Sequence, residues 1–227
     1  MRIKRLISIV CVLGLFTVAE YRTQVIASVG ANAALEEIIK GGSDGENSEM
    51  SESTPEGMSK LPESLTCSFV VPEGFKTSGD PGVYVNEFYP LESANVTYAV
   101  TKIPEKKVLT NAQRTAGETE DDNVEYRYDE LTADMYESAQ KANYESLYGE
   151  NIGFTLEAFE SQEYDGFPGY MIRTSFTPEN SQTIHQVTVI VLSKNKVYTI
   201  VYSRAEDDDF EDAIAESIST IHVISKN

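Results

Sequence analysis

Two histidines and two cysteines are the side chains of this 227-residue chain best suited to acid–base or nucleophilic work. His185 opens a strand-like run, His222 lies in a last short run near the C-terminus, and Cys67 sits in the β-rich run Leu65 to Val71. A Cys67–His185 pair would be a thiol activated by an imidazole, which requires neighbouring strands, a third orienting group and an exposed thiolate. Two unrelated sheet residues is the simpler reading, with Cys67 as a small core side chain. His-Glu-x-x-His and a Lys-bearing phosphate loop are both missing. The sequence therefore assigns no catalytic residue, and it names no cofactor or cofactor-binding residue.

Acidic clusters come next. Asp207, Asp208, Asp209, Glu211 and Asp212 could offer oxygens to calcium, yet they lack the alternating spacing and distal Glu of a calcium loop. Helix capping and a solvated face account for them, a weak divalent site being the alternative. Glu118, Glu120, Asp121 and Asp122 divide the same way, as a solvated loop or a weak site, so no metal ligand is assigned. Tyrosine is abundant at 13 residues, with no Trp. Tyr126, Tyr128, Tyr136, Tyr144 and Tyr148 cluster around one helical segment, and Tyr198 and Tyr202 share a strand face. Exposed, they would suit peptide or glycan contact; the plainer reading is amphipathic core edge.

The elements that position these residues follow from periodicity. Thr183 to Ser193 and Lys196 to Ser203 are β-branched and aromatic runs separated by Lys194 and Asn195, which is hairpin spacing, with Asn195 suited to a left-handed turn position. Both alternating sets of the first run are largely apolar, Ile184, Ile190 and Leu192 against Val187, Val189 and Val191, which predicts a central strand buried on both faces. Asp207 to Asp209 then predict a capped helix start, with Phe210, Ala213, Ile214 and Ile218 at helical spacing. Upstream, Leu65 to Val71, Val83 to Tyr89 and Asn95 to Ile103 read as a strand meander. Pro104 to Glu130 is an acidic excursion without periodicity. Thr132 to Leu147 reads as a helix with Thr132 as cap, an apolar stripe of Met135, Ala139, Ala142 and Leu147, and Gly149 as stop. Phe154 to Phe159 and Tyr170 to Phe176 read as strands, the second entered through a Gly166-Phe167-Pro168-Gly169 turn. Strands, helix, strands, helix predict an α+β domain with a mostly antiparallel sheet flanked by helices on both faces.

Residues 1–33 read as a signal peptide or N-terminal anchor. Met1 to Arg5 is basic, and Leu6 to Ala19 is apolar but short for a spanning helix. Cleavage after Ala19 and cleavage after Ala33 are both compatible with the small residues there. Cys11 would leave with a cleaved signal. Residues 34–63 read as a disordered acidic linker, and residues 64–227 as the folded domain. A net charge of −19 argues against nucleic acid, and contact with a membrane is expected only through an uncleaved N-terminal segment.

The phrase Phe69-Val70-Val71-Pro72-Glu73-Gly74-Phe75 resembles the PsbP-like superfamily. So do Gly166-Phe167-Pro168-Gly169-Tyr170 leading into a strand, and Lys196 to Tyr202 running on to Phe210-Glu211-Asp212-Ala213 and Ile218 to Ile221. The resemblance covers Ser64 to Val223 and implies an α-β-α sandwich. It implies a non-catalytic binding or accessory protein, exported to a bacterial cell envelope or its surface and working with a protein or envelope partner. The alternative reading is a protein that binds a small ligand or a divalent cation.

Overall fold

Alternating side chains along Ile184 to Ala205 explain how one sheet is covered on both faces. The structure, a computed structural model, describes residues 61–88, 93–103, 115 and 131–226. The expected sorting segment, the linker up to residue 60 and the excursion over 104–130 lie outside them, apart from Thr115; Glu118, Glu120, Asp121, Asp122, Tyr126 and Tyr128 are therefore not described. In chain order the elements are β1 (Ser64–Ser68), β2 (Phe75–Thr77), β3 (Val83–Asn86), β4 (Asn95–Lys102), α1 (Ala133–Tyr148), β5 (Thr155–Tyr164), β6 (Phe167–Phe176), β7 (Ile184–Leu192), β8 (Lys196–Ala205), α2 (Glu211–Ser219) and β9 (His222–Ser225).

Seven strands form an antiparallel sheet in the order β2-β3-β4-β8-β7-β6-β5, and β1 pairs with β9 as a separate two-stranded ribbon. β7 is an interior strand, between β8 and β6, as its two apolar sets predicted, and β8 is the middle one of the seven. Helix α1 covers the face carrying Ile172, Ile190, Leu192 and Val197, and extends to Phe176 and Ile184. Helix α2 and the ribbon cover the opposite face, where Val189, Val191, Tyr198, Ile200 and Tyr202 meet Ile214, Cys67 and Val223. The domain is thus an α+β sandwich with cover on both sides of a mostly antiparallel sheet.

Several local expectations are corrected. β1 does not join the meander: Cys67 lies opposite Val223, so the first strand pairs with the last, and β2 takes its place beside β3. The turn into β6 is Asp165-Gly166, with φ of 51° and 84°, the pair of positive values a tight hairpin requires. Phe167, Pro168 and Gly169 are already strand, paired with Tyr164, Glu163 and Gln162. Asn195 is not among the residues with positive φ. Its amide instead grips β1, accepting from the Ser64 N–H at 2.9 Å and donating to the Ser64 carbonyl at 3.0 Å.

Helix α1 begins as predicted, the Thr132 hydroxyl accepting from Met135 N at 3.3 Å, and the Gly149 N–H closes its end on the Glu145 carbonyl. Its buried face, however, is Tyr136, Gln140 and Tyr144, while Met135 and Leu147 are exposed. These three residues are spaced by four, and the two tyrosines meet polar positions on the sheet: Tyr136 OH donates to Thr188 Oγ1 at 3.4 Å, Tyr144 OH donates to Gln186 Oε1 at 2.5 Å, and Gln186 Nε2 donates to Ser203 Oγ at 2.8 Å. Helix α2 is entered at Phe210 without a side-chain cap, so the Asp207–Asp209 cap is also corrected. Asp208 closes the preceding turn by accepting from the Ala205 N–H at 3.1 Å.

Candidate functional site

Along β7 the residues on the α2 face change from covered to open. Val191 and Val189 are fully buried, but Val187 and His185 are only partly so. Helix α2 leans over the sheet without closing on this end, leaving a cleft of roughly 480 Å³, within the range of small-ligand sites. Met171, Val187 and Tyr202 form its apolar floor, and Ile214, Ala215 and Ile218 of α2 form one wall.

The open end is charged. Sheet register sets His185 directly opposite Arg204, and Arg173 opposite Val187 one row away, so three basic side chains from three strands converge on one patch. Each faces a glutamate. Arg204 Nη2 lies 3.2 Å from Glu211 Oε2, Arg173 Nη1 lies 3.1 Å from Glu160 Oε1, and His185 Nδ1 lies 3.7 Å from Glu157 Oε1. The first pair is lopsided: the Arg204 side chain is 18% exposed and that of Glu211 81%. Carbonyls of Ala205 and Asp208 also accept from Arg204 Nη1, at 3.3 and 3.5 Å. The cation is thereby fixed by backbone while its carboxylate partner stands in water. Such an arrangement can hold an anion against an apolar surface, because guanidinium forks match carboxylate geometry and partial burial strengthens the pairing.

The residues singled out in the sequence are mostly absorbed elsewhere. Cys67 is 4% exposed, and burial pushes its thiol up to about 12. It lies in the ribbon, on a different sheet from His185, and His185 is engaged with Glu157. His222 Nδ1 sits 3.2 Å from Asp165, whose carboxylate also accepts from the Val223 N–H at 2.7 Å. That backbone bond, reinforced by His222, holds Asp165 below the ordinary carboxylate range. Asp207 accepts from Gln182, Asp208 from Ala205 and Ser93, and Glu211 from Arg204. Among the described residues no three His, Cys, Asp or Glu side chains group as a metal site. Tyr136, Tyr144 and Tyr198 are almost fully buried, so these three are core rather than contact surface; Tyr202 is as deeply buried and meets the cleft only as part of its floor. Burial raises the hydroxyl of Tyr136 to about 12.

Sequence reading did not assemble Arg173, His185 and Arg204. The available signal was a basic residue at an alternate position of each of three apolar strands, visible in Tyr170-Met171-Ile172-Arg173 and in Tyr202-Ser203-Arg204. Only the strand order makes the three neighbours.

No family model matches the chain, and no curated protein matches it. Among solved structures the chain is similar to the solution structure of the cyanobacterial PsbP (CyanoP) from Synechocystis sp. PCC 6803, at 19% identity and a TM-score of 0.46, covering 77% of this chain and 98% of that one. It is also similar to LpqN, involved in cell envelope biogenesis of Mycobacterium tuberculosis, at 15% identity and a TM-score of 0.42, covering 72% of this chain and 86% of that one. A Pseudomonas aeruginosa protein of unknown function matches at 11% identity and a TM-score of 0.35, covering 74% of this chain and 86% of that one. At these identities and TM-scores the likeness carries nothing about activity.

Proposed function

We propose that the folded domain is a non-catalytic binding or accessory module of a bacterial cell envelope, and that it recognises its partner through the cleft beneath α2. The cleft carries this reading: an apolar floor and helical wall end in three basic side chains, a combination that holds an amphipathic group in one orientation. Export is supported by the basic and then apolar start of the sequence, Met1 to Ala19, and by the acidic spacer that follows.

The test is site-specific photocrosslinking in cells. A photoreactive residue replaces Ala215, an exposed cleft position, and in a second strain Glu179, an exposed loop position away from the cleft. The reading expects the chain in the envelope or medium fraction and an adduct formed from position 215 but not from 179. Cytoplasmic fractionation, or identical adducts from both positions, would overturn it.

A further inference from the structure

Resting on the reading of the cleft as the recognition site, we propose that its ligand is a carboxylate carried on an apolar body, with the carboxylate replacing Glu211 at Arg204. The shared chemistry has two sources, a small apolar acid and the free C-terminal end of an apolar peptide.

Four observations converge on this chemistry. First, the two arginines already bind carboxylates, Glu211 and Glu160 lying 3.2 and 3.1 Å from Arg204 and Arg173, and the His185 ring lies 3.7 Å from Glu157. The site is shaped for that group. Second, the residents differ in how firmly they are held. Glu211 is 81% exposed and sits in the first turn of α2, so it gains little from burial and can leave Arg204 at small cost. Arg204, at 18% exposed and held by two backbone carbonyls, stays in place to receive a replacement. Third, an incoming carboxylate at Arg204 has apolar cover directly beside it, since Tyr202, Val187 and Met171 continue from the charged end along the floor and Ile214, Ala215 and Ile218 face them. A free glutamate could use none of that surface; a ligand with an apolar body does. Fourth, Glu157 lines the cleft, Glu160 stands beside Arg173, and the chain as a whole is at −19, so a doubly charged phosphate meets more repulsion than a single carboxylate.

The experiment follows the methyl resonances of Met171, Ile214 and Ile218 in the chain as isolated from cells. Probes are octanoate, with octanol and acetate as tail-only and head-only controls, and N-acetyl-Ala-Leu-Leu as free acid, with its C-terminal amide as control. Saturable shifts at these methyls with octanoate identify a small acid, and with the free-acid peptide a chain end. The matched neutral probes should bind at least about tenfold more weakly, the loss of a charge-assisted pair. Arg204→Gln should weaken binding by a similar factor. Because Arg204 also secures the turn before α2, Arg173→Gln serves as a second loss variant at a 45% exposed side chain. Glu211→Gln should tighten binding about two- to fivefold, the range for releasing an exposed ion pair.

Binding that is equal for acid and neutral probes, absent for both acids, or weakened by Glu211→Gln would overturn the proposal. Cleft-specific crosslinking alongside any of these would leave the binding-module reading standing with a different ligand. Carboxylate binding with indiscriminate crosslinking would instead remove the binding-module reading and keep this one.

Discussion

The Cys67 thiol, pushed up to about 12 by burial, has almost no thiolate at neutral pH. Alkylation of the native chain is therefore expected to leave the Cys67 peptide unmodified, with rapid labelling once denaturant is added. Fast native labelling, read by mass spectrometry, would contradict the burial. Gly169 is constrained differently. A Cβ there would run into the carbonyl oxygen of Ile190 on β7, the strand next to β6. Gly169→Ala should cost about 1–3 kcal/mol in a urea melt, the range for forcing volume into packed structure. Gly166, by contrast, is a glycine because its φ is 84°. In sequence the two glycines look alike, which is why Gly166 to Gly169 reads as one turn. Only the position of the neighbouring strand separates a glycine that bends the chain from one that lets two strands approach.

Helix α1 shows where periodicity stops being informative. Its ends were legible from Thr132 and Gly149, but its buried face was not, because two tyrosines and a glutamine fill it instead of Met135 and Leu147. The two tyrosines are accepted inside because the sheet beneath supplies Gln186, Thr188 and Ser203, and no single-segment pattern can reveal a partner on another strand. Tyr144→Phe removes a donor from the buried Gln186 carbonyl and should destabilise the fold by about 1–3 kcal/mol. A change below 0.5 kcal/mol, on the order of an exposed substitution, would show that the bond contributes nothing. The β1–β9 ribbon is tied down by acids. Glu63 accepts from Lys226 at 2.7 Å and Lys194 at 3.3 Å, and Asp165 accepts from Val223 and His222. The Lys226 bond is the largest cause holding Glu63 below its ordinary 4.5, and the Val223 bond the largest holding Asp165 below its ordinary 3.8. Both carboxylates bind protons less readily folded than unfolded, so their stabilisation is present above those ordinary values and is lost as pH falls through the depressed ones. Hydrogen-exchange protection at Cys67 and Val223 should thus fall in acid before protection at Val189. A simultaneous loss at all three would refute a separately anchored ribbon.

For the molecule as a whole, the sequence made the fold class legible and the assembly illegible. The β7–β8 hairpin, its double burial and the helices on two faces follow from alternation and spacing that local residues carry. Pairing of β1 with β9 and adjacency of Arg173, His185 and Arg204 depend on strand order, which joins residues far apart in the chain. Strand order also gives the domain a direction. The chain enters at Leu61 to Glu63 beside the β7–β8 turn, where the Lys194 N–H donates to the Pro62 carbonyl, and it leaves at the same place, where the Lys226 N–H donates to the Glu63 carbonyl. His185 and Arg204 stand at the other end of that hairpin, roughly 23 Å away at about 3.3 Å per residue from Leu192 back to His185. The charged end of the cleft therefore lies at the pole opposite Leu61 and Lys226, and a ligand seated there meets the domain from the side away from them.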